Sequence, residues 1–174
     1  MRLFEYVQSG GIIMYILVFL NIVGLSTLLV KGITLVRYKS HIKKWTKEIL
    51  DDFFKKLNGK NISEAVKLTL VKDEIVLFVS RLESGLNTIK IIASIAPLLG
   101  LLGTVTGILG AFDVISRTGL EDPSSFAGGI SLALITTVGG LIVAIPHFIG
   151  HNYLVRLIDT IETELEERVV PEVF

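Results

Sequence analysis

Cysteine is absent from the 174 residues, which excludes disulfides and thiolate metal sites. Charge is absent from three long stretches, since residues 10–30, 91–112 and 126–150 contain no Asp, Glu, Lys or Arg. A chain with 51% hydrophobic residues can be a soluble domain, but soluble cores do not block their apolar residues into charge-free runs. Each run covers the roughly 20 residues that the hydrocarbon core demands of a helix, and three membrane spans are the economical count. The first run follows only Arg2 and Glu5, lacks a small-residue cleavage site and meets Lys31 at once. It reads as a retained membrane helix and not as a removable signal. No nucleophile–base set, phosphate loop or nucleic-acid-binding pattern is visible, nor any repeat, low-complexity segment or convincing strand. The expectation is an all-α integral membrane protein that is not an enzyme, uses no cofactor or metal and binds no nucleic acid.

Charge that is present is unevenly placed. Of 17 Lys and Arg residues, 13 lie within residues 31–90, whereas only Arg2 precedes the first run and only Arg117 separates the second and third. Basic residues mark the cytoplasmic side. This orients the amino terminus and residues 113–125 outward, and the large loop and the carboxyl terminus inward. The resulting division is residues 1–36 for the leader and first span, 37–90 for a cytoplasmic helical domain, 91–112 for the second span, 113–125 for a periplasmic loop, 126–150 for the third span and 151–174 for a cytoplasmic tail helix.

In the loop, Ile42, Trp45, Ile49, Phe53 and Leu57 recur at helical spacing, with lysines on the rest of the turn. Asn58-Gly59-Lys60-Asn61 predicts a break, and Ser63 a cap for a helix beginning at Glu64. From about Asp73 the pattern predicts one helix running on into the second span, so that the second and third spans extend into the cytoplasm as a bundle. In the tail, Leu154, Ile158, Ile161, Leu165 and Val169 form a second apolar stripe, ended by Pro171. Six acids against two bases give the tail a net charge of −4, while 13 bases against seven acids give the loop +6, which suits either mutual attraction or two separately solvated faces.

Around the second span, Ala93, Ala96, Pro97, Gly100, Gly103, Thr104, Gly107, Gly110 and Ala111 gather on less than half the circumference. Gly129, Ala133, Thr136, Thr137, Gly140, Ala144, His147 and His151 do so on the third. Small residues in membrane helices ordinarily serve close packing. A membrane threonine ordinarily bonds its own backbone one turn earlier. Three threonines on two such stripes, Thr104, Thr136 and Thr137, open a second reading in which hydroxyls line an ion pathway together with Gly100, Gly103, Gly107, Ala133 and Gly140. His147 and His151 lie one turn apart at the cytoplasmic end, where packing, a proton exit at His147 and metal binding compete, the last without a third ligand. No carboxylate lies within the three runs, so an acid that relays protons has to come from a partner.

The run Ala96-Pro97-Leu98-Leu99-Gly100-Leu101-Leu102-Gly103-Thr104-Val105-Thr106-Gly107, with Gly129-Ile130-Ser131-Leu132-Ala133-Leu134-Ile135-Thr136-Thr137 and Gly140-Leu141-Ile142-Val143-Ala144-Ile145-Pro146, resembles the ExbB/TolQ/MotA proton-channel family, in its ExbB-like and TolQ-like branches. Gly10-Gly11-Ile12-Ile13-Met14-Tyr15 is similar to the start of that family's first span. The resemblance implies a homopentamer in the bacterial inner membrane, whose second and third helices surround the single-span helices of an ExbD-like or TolR-like dimer. Protons then drive work on the outer envelope, through a TonB-like protein in the ExbB-like case. It also implies that Thr104 and Thr137 flank the partner's essential aspartate. Leu132 stands where the family often carries glutamate, so any role of that glutamate does not transfer. The alternatives are a TolQ-like subunit for envelope integrity, and a passive channel or scaffold without motor function.

Overall fold

The computed structural model describes residues 7–8, 10–57, 63–119 and 123–173. It is all-helical, with α1 over Gly11–Ser40, α2 over Ile42–Leu57, α3 over Glu64–Glu83, α4 over Leu86–Thr118 and α5 over Pro123–Val169, followed by a 3-10 turn over Val170–Val173. Helices α1, α4 and α5 are long and apolar enough to cross a membrane. This is the three-span membrane protein that the charge-free runs predict. The predicted break at residues 58–61 falls outside the described residues.

One expectation fails between α3 and α4. The helix does not run on from Asp73 into the second span but stops at Glu83, because Ser84 leaves helical geometry and Gly85 takes φ +84°. That is left-handed backbone, open to glycine at little cost. Ser63 does occupy the N-cap position of α3, with extended dihedrals, although its side chain makes no capping bond. Only His41 separates α1 from α2, its amide bonded to the Arg37 carbonyl at 3.2 Å. Pro97 and Pro146 sit inside α4 and α5, each removing one amide donor from a helix that neighbouring helices support.

The chain divides into two compact units. The first comprises residues 1–28 and 88–150 and holds the charge-free runs 91–112 and 126–150 with most of the run 10–30. Its core is formed by Met14, Leu17, Ile92, Ala96, Val143 and Ala144. Outside that core the same helices turn Phe19, Leu98, Leu109, Phe112, Leu134 and Phe148 outward, each more than 60% exposed. An apolar exterior of this kind belongs in hydrocarbon or against further membrane helices.

The second unit comprises residues 29–87 and 151–174. Leu154, Ile158, Ile161, Leu165 and Val169, the stripe expected of the tail, are all buried, as are Ile42, Ile49 and Phe53 from α2 and Val71, Ile75, Val79 and Leu82 from α3. Each such side chain contributes about 1.5–3 kcal/mol when withdrawn from water. Opposite charges also face each other there, since Lys39 shares a cleft with Asp159, Glu164 and Glu167, and Lys43 and Lys47 share another with Glu167 and Glu172. Among the described residues the ion pairs are Lys56–Glu74, Arg117–Asp113 and Arg168–Glu164, and none joins the basic loop to the acidic tail. Exposed pairs are worth about 0–1 kcal/mol each, so apolar burial outweighs them.

Glu162 shows the cost of that arrangement. Burial, then the carboxylates of Glu166, Asp159 and Glu83, raise its pKa above the ordinary glutamate value. The folded state therefore binds the proton more tightly than the unfolded one, and stability falls as pH rises from the unfolded pKa through the folded one. Above that window the penalty is fully present. Glu162→Gln should raise the melting temperature of the detergent-solubilised protein at neutral pH and reduce the decline seen between acidic and neutral pH. An unchanged pH profile in the variant would show that Glu162 carries no such penalty.

Candidate ion-pathway site

The site is built where α4 meets α5, and small side chains set how closely the two helices approach. A Cβ added to Gly100 would stand 2.8 Å from the Thr136 carbonyl oxygen, and one added to Gly140 would stand 2.6 Å from the Ala96 carbonyl oxygen. At Gly107 the obstacle is the Gly129 carbonyl oxygen at 2.8 Å, and at Gly129 it is the Ala111 Cβ at 2.8 Å. Backbone meets backbone at Gly100, Gly107 and Gly140, an approach that small residues allow. Gly103 receives the Thr136 side chain, whose methyl and hydroxyl fill the space that a Cβ would take. Gly110, assigned by periodicity to the same stripe, has nothing within 4 Å of its would-be Cβ and faces outward.

Within the chain, then, Gly100, Gly103, Gly107, Ala133 and Gly140 form the packing seam and present no open surface. Ala133 is 1% exposed and Thr136 is fully buried. The Thr136 hydroxyl donates back to its own helix, with the Ala133 carbonyl at 2.9 Å and the Leu132 carbonyl at 3.1 Å. The sequence places Thr136 beside Thr137 on one stripe, but the seam separates them, with Thr136 inside and Thr137 at its edge.

Thr104 and Thr137 are brought together. Their hydroxyls are hydrogen-bonded directly across the two helices, and both side chains are half-buried. The Thr104 hydroxyl also approaches the Ala133 carbonyl at 3.1 Å and the Gly100 carbonyl at 3.2 Å, while Thr137 reaches the Gly100 carbonyl at 3.3 Å. Two hydroxyls therefore share three acceptors, counting each other, and their oxygens keep lone pairs for a further donor. Beside them opens an apolar cavity of about 200 Å³, lined by Thr104, Ile108, Ala111, Phe112, Phe126, Ile130, Ala133 and Leu134. Leu132 reaches α4 as well, its Cδ2 lying 3.0 Å from the point where a Gly107 Cβ would stand.

His147 lies inside the first unit. It is fully buried, and a Cβ on Gly24 of α1 would overlap its ring, so it fills a notch between helices. Nδ1 lies 2.6 Å from the Val143 carbonyl, which can only accept, so the proton sits on Nδ1. Nε2 has no partner among the described residues. Gly24 is the residue that sequence reasoning missed here, because a single glycine in an apolar span does not announce a histidine more than a hundred positions away.

The MotA/TolQ/ExbB proton channel family matches residues 41–167. The chain belongs to this family. It is 33% identical, over 180 aligned positions and 89% of its own length, to a putative biopolymer transport protein ExbB homolog of Methanothermobacter thermautotrophicus. It is 48% identical over 75 residues, 43% of its length, to the biopolymer transport protein ExbB of Aquifex aeolicus, and 40% identical over 84 residues, 48% of its length, to biopolymer transport protein exbB1 of Vibrio cholerae. The aligned parts cover 63%, 51% and 37% of those relatives, so the chain spans less than two thirds of each. The MotA/TolQ/ExbB family is one of transport components and not of enzymes.

The seam makes a sharp prediction about glycine. Gly140→Leu should destabilise the detergent-solubilised protein by about 1–3 kcal/mol or more, because the new side chain meets backbone that cannot yield. Gly110→Leu, at an open position, should leave thermal unfolding followed by circular dichroism close to that of the parent. Equal effects of the two substitutions would contradict the seam.

Proposed function

We propose that the chain is the ring-forming stator subunit of a proton-motive-force-driven motor which, with an ExbD-like single-span subunit, energises TonB-type transport across an outer membrane. The observation that carries this reading is the Thr104–Thr137 hydroxyl pair at the edge of a seam between two charge-free runs, residues 91–112 and 126–150, that contain no acid. Hydroxyls satisfied by each other and by carbonyls hold a fixed geometry. Their remaining lone pairs suit a protonated carboxyl, and reorientation of the hydroxyl protons suits the same group once ionised. The acid has to be supplied by a second membrane helix, and the exposed apolar faces of α4 and α5 give that helix, and further copies of this chain, somewhere to lie.

The proposed assembly is a pentamer in the inner membrane, with the amino terminus periplasmic and the basic loop and tail cytoplasmic, an orientation that the basic loop supports. Each proton crossing the field is worth about 2.3 kcal/mol per 100 mV, which sets the scale of work per step. ExbB-named relatives support the TonB-linked branch over a TolQ-like role in envelope integrity.

Replacing Thr104 or Thr137 by valine keeps shape and removes the hydroxyl. A lost partner for a buried acid costs about 1–3 kcal/mol, so each variant should slow siderophore uptake in a complementation strain about 5- to 150-fold while complex formation, followed by blot, stays intact. Leu132→Ala should alter packing more than coupling. Assembled Thr104→Val and Thr137→Val proteins that support full uptake would remove the pair from the mechanism. In the same strain, a single cysteine replacing Lys67 should react with an impermeant maleimide only after permeabilisation.

A further inference from the structure

The second unit contains a cavity that the ion pathway does not use. It has a volume of about 280 Å³ and is lined by Lys31, Thr34, Leu35, Tyr38, Trp45, Glu48, Phe78, Arg81 and Leu82. Three helices build it. Aromatic rings make one wall, with the Tyr38 and Trp45 centroids 4.5 Å apart and Phe78 5.8 Å from Tyr38 and 5.7 Å from Trp45. Lys31 and Arg81 provide two positive charges. Lys31 spends one donor on the Leu82 carbonyl at 3.4 Å, and Arg81 spends Nε on the Leu77 carbonyl at 3.4 Å, which leaves donors of both free. Neither has a carboxylate within 4 Å among the described residues. Trp45 Nε1 is buried and has no acceptor there, a state that costs stability unless something fills it.

The level of this cavity follows from the chain. Lys31 is the first charged residue after the apolar run of α1, and Thr34, Leu35 and Tyr38 follow on the next two turns. At 1.5 Å per residue they stand at and just beyond the depth of lipid headgroups. Basic pockets between helices at that level suit lipid phosphates, and Trp and Tyr favour the same zone. Glu48, exposed at the rim, leaves the lining with a net charge of +1, which one phosphodiester neutralises.

We propose that this cavity binds the phosphodiester headgroup of an anionic glycerophospholipid, with Lys31 and Arg81 taking the phosphate oxygens, the Trp45 indole N–H donating to an oxygen of the same headgroup, and the aromatic wall lying along the glycerol. Lipid so held ties α1, α2 and α3 together where the chain leaves the membrane.

Trp45 is the sole tryptophan and reports on its own site. The full chain in neutral detergent is titrated with brominated phosphatidylglycerol, with brominated phosphatidylcholine, and with glycerol 1-phosphate in competition. Bromine quenches tryptophan only in near contact. Saturable quenching at lower concentration by the phosphatidylglycerol is expected, and Arg81→Gln, at an exposed position, should weaken that preference about fivefold while Arg81→Lys keeps it. Lys31→Gln should act as Arg81→Gln does. Equal quenching by both lipids in parent and variants would overturn the proposal. Displacement of the brominated lipid by glycerol phosphate at matching concentration would overturn the lipid assignment in favour of a soluble phosphate ester.

Discussion

The rest of the membrane unit depends on how closely α4 and α5 approach. Carbonyl oxygens of Ala96, Thr136 and Gly129 stand 2.6, 2.8 and 2.8 Å from where Cβ atoms of Gly140, Gly100 and Gly107 would be, so the distance is set by missing side chains. In hydrocarbon no hydrophobic effect drives helices together, and contact of this kind has to supply the attraction through dispersion. The same closeness lets the hydroxyls of Thr104 and Thr137, on different helices, reach each other and the opposite backbone. One bulky residue on the seam would separate both the packing and the hydroxyl pair.

Chemistry and packing are thus divided between neighbouring positions. Thr136 turns its hydroxyl back onto its own helix and fills the Gly103 notch, whereas Thr137, one residue on, shares its hydroxyl across helices. His147 is likewise given to packing, its ring seated over Gly24 with Nδ1–H on a backbone carbonyl. What remains is a pair of polar groups without charge, in a protein whose spans hold no acid. A proton relay through such spans draws its carboxyl from another chain, which is the physical ground of the two-component motor proposed above.

Much of this was legible in the sequence, for identifiable reasons. Three spans follow from charge-free runs, and the tail stripe from Leu154 to Val169 is buried as its spacing requires, because water punishes exposed leucine on a helix outside the membrane. The break at Gly85 was not legible: Ser84-Gly85 interrupts an otherwise helical pattern without a proline, and only the left-handed backbone gives it away. A helical wheel grouped Gly110 with the seam, but the contact passes to Ala111, which packs against Gly129, and leaves Gly110 turned outward. Charge totals suited either attraction of loop and tail or two solvated faces, and buried side chains outweigh exposed ions. The Gly24–His147 fit joins distant positions and has no local signature.

A borrowed acid is the central claim, and proton flux tests it directly. The chain purified alone and reconstituted into liposomes with an entrapped pH dye should pass no protons above the lipid background under an imposed potential. Co-reconstitution with a single-span partner carrying a membrane aspartate should open the flux, and changing that aspartate to asparagine should close it. Flux through this chain alone would contradict the account, because its three spans would then conduct without any carboxylate.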